Sequence, residues 1–130
     1  MDVINHIEIA VNDAEASRRF YEAALKPLDI SLVISVDPKH TVSGGARYGF
    51  GRDGYPSFWI HEEAGAKIPT HVAFTARARN VVDDFHARAL RYGGRENGRP
   101  GVRERYHPTY YAAYVLDPDE NNIEAVCQTE

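Results

Sequence analysis

The chain has 130 residues, 43% hydrophobic and 26% charged, with a net charge of -4; that length and balance fit one globular domain with its own core and exclude a disordered or fibrous chain. The mild negative charge, without any Lys/Arg block, excludes the electrostatic footprint of a nucleic-acid or anionic-membrane binder. The single Cys127 cannot close an internal disulfide, no apolar run approaches the ~20 residues that span a bilayer, and "MDVINHIEIAV" lacks a basic region ahead of an apolar stretch, so a cytoplasmic protein held by packing, with neither nucleic acid nor membrane as partner, is expected.

In chain order, Ile7, Ile9 and Val11 alternate as a strand with one buried face. Asn12, with Glu15 three residues later, is the expected N-cap of a helix whose apolar face is Phe20, Ala24 and Leu28 with Tyr21 and Leu25, stopped by Pro27. The strand candidates "ISLVISV", "ARYGFG" and "SFWIHE" follow, and then "EEAGAKIPT" as a linker. From His71 the pattern begins again: Val72 and Phe74 alternate, Asn80 with Asp83 reads as a second N-cap, Val82, Phe85 and Ala89 with Leu90 form a second face, and Gly93-Gly94 stops it. The candidate strands "GVRERY", "YYAAYVL" and "NIEAVC" complete the chain.

The two halves are expected to be repeats. "HIEIAVNDAEASRRFYEAALKPL" from residue 6 aligns without a gap on "HVAFTARARNVVDDFHARALRYG" from residue 71, an offset of 65, with His6/His71, Phe20/Phe85, Ala24/Ala89 and Leu25/Leu90 identical. The unit is β-α-β-β-β, used twice: one domain over residues 1–130, with a first module over 1–61, a linker over 62–70 and a second module over 71–130. Strand parity then sorts the polar residues. If Ile7, Ile9 and Val11 lie under the helix, then His6, Glu8 and Ala10 face away; likewise His71 and Ala73 face away, as do Glu124 and Val126. The repeat offset relates Glu124 to Trp59. A pseudo-twofold arrangement would bring His6, His71, Trp59 and Glu124 together, and three of these four can bind a metal.

On these residues the sequence resembles the vicinal oxygen chelate superfamily, which includes glyoxalase I, extradiol dioxygenases, fosfomycin-modifying enzymes and bleomycin-resistance proteins. "HIEIAVNDAEASRRFYEAAL" looks like its first β-α segment, His71 like the opening of the second module, and "LDPDENNIEAV" like its closing hairpin. The resemblance implies an α+β fold of two tandem βαβββ modules forming a cupped mixed sheet, with helices on the convex side. It implies metal ligands at His6, His71 and Glu124, and a homodimer. Trp59 stands where glyoxalase I-like members have a second glutamate, a departure from that isomerase's ligand set, and Trp59 is expected to be a substrate-pocket wall. Glu120 stands where the family has Gly in the hairpin turn, so Asn121 or Asn122 is expected to take the left-handed conformation.

Two imidazoles and one carboxylate leave open positions on a divalent ion and suit Fe, Mn, Ni or Zn. Such an ion can take two neighbouring oxygens of a small-molecule substrate and act as a Lewis acid. In "HPTYYAAYVLDPDENNIE", His107 and Tyr114 precede Glu124 at spacings similar to the extradiol dioxygenase signature. Tyr114 is a candidate hydrogen-bond donor, His107 a candidate acid or base, and Glu8 a candidate base. His61 and His86 fall outside the constellation, and Arg99, Arg103 and Arg105 read as solvated charge. The resemblance implies a metalloenzyme, extradiol dioxygenase-like or a glyoxalase-related lyase or isomerase, acting by ring cleavage, isomerisation or group transfer. The alternative is a metal-free small-molecule binding protein of the bleomycin-resistance type, whose members typically lack the three ligands.

Overall fold

A computed structural model describes residues 3–42, 44–65 and 68–129 of the chain. The alternating apolar residues at its start form β1 (Ile7–Val11), and Ile9 and Val11 are buried. The helix α1 (Ala14–Leu25) follows, then a 3-10 turn at Lys26–Leu28 that holds Pro27. Three strands complete the first unit: β2 (Ser31–Val36), β3 (Arg47–Gly51) and β4 (Phe58–Glu62). The second unit repeats the order with β5 (His71–Thr75), α2 (Arg79–Arg91), β6 (Arg95–Val102), β7 (Tyr111–Leu116) and β8 (Asn122–Cys127). Each unit folds into its own four-stranded mixed sheet, in the orders β1-β4-β3-β2 and β5-β8-β7-β6. In both, the first strand runs parallel to the last and the other pairings are antiparallel. This is the α+β architecture of tandem βαβββ modules expected from the sequence.

Several local expectations are corrected. Asp13, not Asn12, caps α1, its carboxylate accepting from the Ala16 amide at 3.1 Å, because Asn12 is tied elsewhere, donating to Asp119 at 2.7 Å. The cap position of α2 is Ala78, which has no side chain to bond. Asn80 therefore lies inside the first turn, and Asp83 accepts from the Tyr111 hydroxyl at 2.6 Å. Leu90, expected on the buried face, is 38% exposed. Glu62, expected to open the linker, ends β4 and accepts from the Ala14 amide at 3.0 Å; residues 66 and 67 of that linker lie outside the described residues. The strand expected over 101–106 runs instead over Arg95–Val102, an irregular segment whose pairing to β7 shifts register twice; the Arg103 amide bonds to the Tyr110 carbonyl at 2.7 Å and closes a turn where the strand was expected. Glu120 itself takes the left-handed conformation, with φ 68°. Asn121 is occupied otherwise, its amide nitrogen donating to the buried Asp117 carboxylate at 2.8 Å.

The helices pack on one another and on one side of each sheet, so the two units share one core. Phe20, Tyr21, Phe50 and Phe58 form its aromatic centre, with Tyr21 and Phe58 ring centroids 5.0 Å apart. Phe58 also meets Phe74 of β5 at 5.3 Å, edge to face. Fully burying each of the first four rings contributes about 1.5–3 kcal/mol, and the partly buried Phe74 carries this packing across to the second unit. Polar contacts also cross between the units. Arg88 donates to the Ala23 carbonyl at 2.7 Å, and the Tyr21 hydroxyl donates to Asp117 at 2.5 Å. With the helices inside, each sheet presents its other face free of helix.

Candidate functional site

The second sheet carries Glu124 in the middle of β8, on the helix-free face, where the pleat sends every second residue. Its side chain is only 3% exposed. A buried carboxylate needs partners, and among the described residues those of Glu124 are a tyrosine and a histidine, with no Lys or Arg. One oxygen, Oε2, accepts from the Tyr110 hydroxyl at 2.6 Å; the other, Oε1, lies 3.1 Å from His71 Nε2. Tyr114 is the cross-strand partner of Glu124, and its ring lies near-parallel to that of His71 with centroids 6.4 Å apart. Burial first, and then the neighbouring carboxylate, push the Tyr110 and Tyr114 hydroxyls above the ordinary tyrosine value, so both remain donors at neutral pH.

The proton inventory of His71 decides what this pair can do. Its Nδ1 lies 3.0 Å from the Asn122 carbonyl oxygen, which can only accept, so Nδ1 carries a hydrogen. A neutral ring then turns the Nε2 lone pair towards a carboxylate oxygen that also offers lone pairs. Two acceptors at that separation repel unless a second proton or a cation stands between them. A metal-ligating histidine donates its other ring N–H to a carboxylate or backbone carbonyl in the same way, so the geometry of His71 fits either a cation or a second proton between Nε2 and Glu124.

The other expected residues lie elsewhere. Among the described residues no three His, Cys, Asp or Glu side chains stand close enough to hold one ion, so His6 does not join His71 and Glu124 within one chain. His6 precedes β1, exposed, with its Nδ1 2.7 Å from the Asn5 side-chain oxygen, to which Tyr55 also donates. Trp59 and Glu8 are cross-strand neighbours on the helix-free face of the first sheet. Glu8 meets Arg47 at 2.7 Å, and His61 Nδ1 is 2.6 Å from its other oxygen, although the ring is not well aligned for a hydrogen bond. The Arg47 guanidinium first of all holds the Glu8 carboxyl below its usual range. His61, expected to lie apart, thus belongs to the same cluster as Glu8 and Trp59. His107 lies in the turn before β7, bonded to Thr109 at 2.9 Å. Arg103, expected to be solvated, stands 5.3 Å over the Tyr114 ring and donates to the Gly101 and Arg99 carbonyls.

Two site residues escaped the sequence reading. Tyr110 shares its parity with Tyr114, so alternation extended four residues upstream would have found it. Arg47 offered no such clue, since its partner Glu8 is 39 residues away.

A family model described as the Glyoxalase/Bleomycin resistance protein/Dioxygenase superfamily matches residues 3–125. Among solved structures, a glyoxalase/bleomycin resistance protein from Albidiferax ferrireducens T118 is 29% identical with a TM-score of 0.76, over 97% of this chain and 98% of that one. A glyoxylase/bleomycin resistance protein/dioxygenase domain from Frankia sp. EAN1pec is 16% identical with a TM-score of 0.73, over 98% of each chain. Glyoxalase I from Zea mays is 18% identical with a TM-score of 0.72, over 95% of this chain and 45% of the maize chain. The last two likenesses show a common fold alone. Comparison with proteins of curated function gives no significant match.

Proposed function

From the premise that the chain belongs to the glyoxalase/bleomycin resistance protein/dioxygenase superfamily, we propose that it is a metal-dependent enzyme acting on a small molecule through two neighbouring oxygens, as a homodimer with a shared site. His71 and Glu124 of one chain and His6 of a second copy would hold a divalent cation. The observation that carries this reading is the facing pair His71 Nε2 and Glu124 Oε1, 3.1 Å apart, with Nδ1 committed to the Asn122 carbonyl. That donor set fits a divalent transition ion. His6 lies just ahead of β1, in the unit that does not carry His71 and Glu124, and a twofold axis would supply it to each half-site reciprocally.

When bound, such a cation supplies Lewis acidity to paired substrate oxygens. The chain's own residues supply the rest. Tyr110 fixes the Glu124 carboxylate from behind, leaving Oε1 to face His71. Tyr114, on the same face and kept protonated, donates a hydrogen bond to a substrate oxygen and orients it. The low exposure of Glu124 keeps water from competing at the carboxylate.

The test is metal stoichiometry with complementation. Protein purified without chelators is expected to bind about one equivalent of a transition metal per chain. His6→Ala and His71→Ala should each lose uptake alone, whereas coexpressing them should restore one intact site per mixed dimer. Uptake below about a tenth of an equivalent in the unaltered protein rejects the metalloenzyme and favours a metal-free binding protein. Loss that coexpression does not rescue rejects the shared site.

A further inference from the structure

The helix-free face of the first sheet carries a second built cluster, and metal binding does not account for it. Gly49 of β3 is its foundation: a Cβ there would stand 2.8 Å from Pro56 Cβ, 2.9 Å from Ile34 Cγ2 and 3.0 Å from Trp59 Cη2. A side chain there would crowd all three, and glycine leaves the indole room to lie across the strand. The Arg47 guanidinium stacks on that indole, its Cζ 3.7 Å from the ring centroid. Its Nε and Nη2 are fixed on the Glu8 carboxylate, at 3.2 Å and 2.7 Å, and His61 approaches the same carboxylate from the other side. Among the described residues, Arg47 Nη1 has no acceptor, although the side chain is only 31% exposed.

We propose that Arg47 is the carboxylate-recognition residue of the substrate cup, selecting small molecules that carry a carboxylate besides their two neighbouring oxygens. The inference rests on the dimeric reading above, which brings the first sheet's free face into the same cup as His71 and Glu124 of a second copy. Three features support it. The Glu8 contact uses only Nε and Nη2 of Arg47, so a carboxylate arriving at Nη1 displaces no partner. The guanidinium is stacked and tethered before the ligand arrives, so little side-chain freedom remains to be lost. The unused hydrogens of a planar fork match the two oxygens of a carboxylate, and charge-assisted bonds of this kind are stronger than neutral ones.

Trp59 is the sole tryptophan in the chain and touches Arg47, so its fluorescence reads this site directly. Metal-loaded protein is titrated with 3,4-dihydroxybenzoate and with 3,4-dihydroxybenzamide, which share the vicinal oxygens and differ in charge. The acid is expected to bind about tenfold more tightly, as one charge-assisted pair at a partly exposed site gives. In Arg47→Met, checked for folding by circular dichroism, the ratio should fall towards one; Arg47→Lys, which keeps charge but not the stacked fork, should lose most of it. Equal binding of the two probes, or a ratio unchanged in both variants, overturns the assignment of Arg47 alone. No saturable response to either probe overturns it together with the shared cup.

Discussion

Replacing Tyr21 by Phe removes one hydroxyl from the seam between the modules, and the structure fixes what that should cost. Asp117, 2% exposed, accepts four hydrogen bonds: from the Tyr21 hydroxyl at 2.5 Å, from the Asn121 side chain at 2.8 Å, and from the Asp119 and Asn121 amides at 2.8 Å each. Tyr21→Phe keeps the ring and its packing and removes one of the four. A hydrogen bond to a buried charged group is worth about 1.5–3 kcal/mol, which for a domain of this length lowers the melting temperature by roughly 5–10 °C. The loss should depend on pH. Burial pushes the Asp117 carboxyl above its ordinary value of 3.8, and Tyr21 is the foremost group opposing that shift. Because the folded value lies above the unfolded one, the stability this group contributes is complete below about 3.8 and declines as pH rises through the folded value. Without Tyr21 the folded value climbs further, so the deficit of the variant should be smaller at pH 4 and larger by pH 7. Denaturant unfolding of both proteins from pH 4 to 8, at one protein concentration, measures it. A deficit below about 0.5 kcal/mol, or one independent of pH, would refute the view that Asp117 is an ionised anchor held by Tyr21.

Tyr110→Phe leaves Glu124 Oε2 without its donor and should weaken metal uptake by about tenfold or more, read by competitive metal titration; unchanged affinity removes Tyr110 from the support of the site. Glu120→Gly relieves a left-handed non-glycine backbone at φ 68° and sacrifices only the exposed Arg95 ion pair, so unfolding experiments should show a gain of about 1 kcal/mol. Glu8 is held below 4.5 chiefly by Arg47, so its contribution is present above pH 4.5 and lost as pH falls through the lowered folded value. The melting-temperature gap between the unaltered protein and Arg47→Met should therefore close on acidification, and a constant gap from pH 7 to pH 3 contradicts the pairing.

Much of the fold was legible in the sequence because it is written in local periods. Alternation at Ile7, Ile9 and Val11, and again at Val72 and Phe74, marked the first strand of each unit, and the ungapped 65-residue offset marked the duplication. Parity also assigned Glu8 and Glu124 to helix-free faces, since the pleat leaves a strand residue only two choices, and the repeat offset added Trp59. Where these rules missed, a competing contact had prevailed: Asn12 was drawn to Asp119, leaving Asp13 to cap α1, and the irregular Gly- and Pro-containing segment 95–102 paired despite lacking alternation.

The amino-acid pattern alone assigns Glu8 and Glu124 to a strand face. Which faces then meet depends on how strands and helices pack. The two helices pack against each other, so the free faces belong to separate sheets, and His71 meets Glu124 while His6 does not. Likewise the stack of Trp59, Arg47 and Glu8 exists because Gly49 lets an indole cross a strand and because β4 brings β1 and β3 to its two sides. Periodicity fixes the direction of a side chain relative to its own backbone; the distance between two side chains on different strands depends on how those backbones are packed, and no local pattern encodes that.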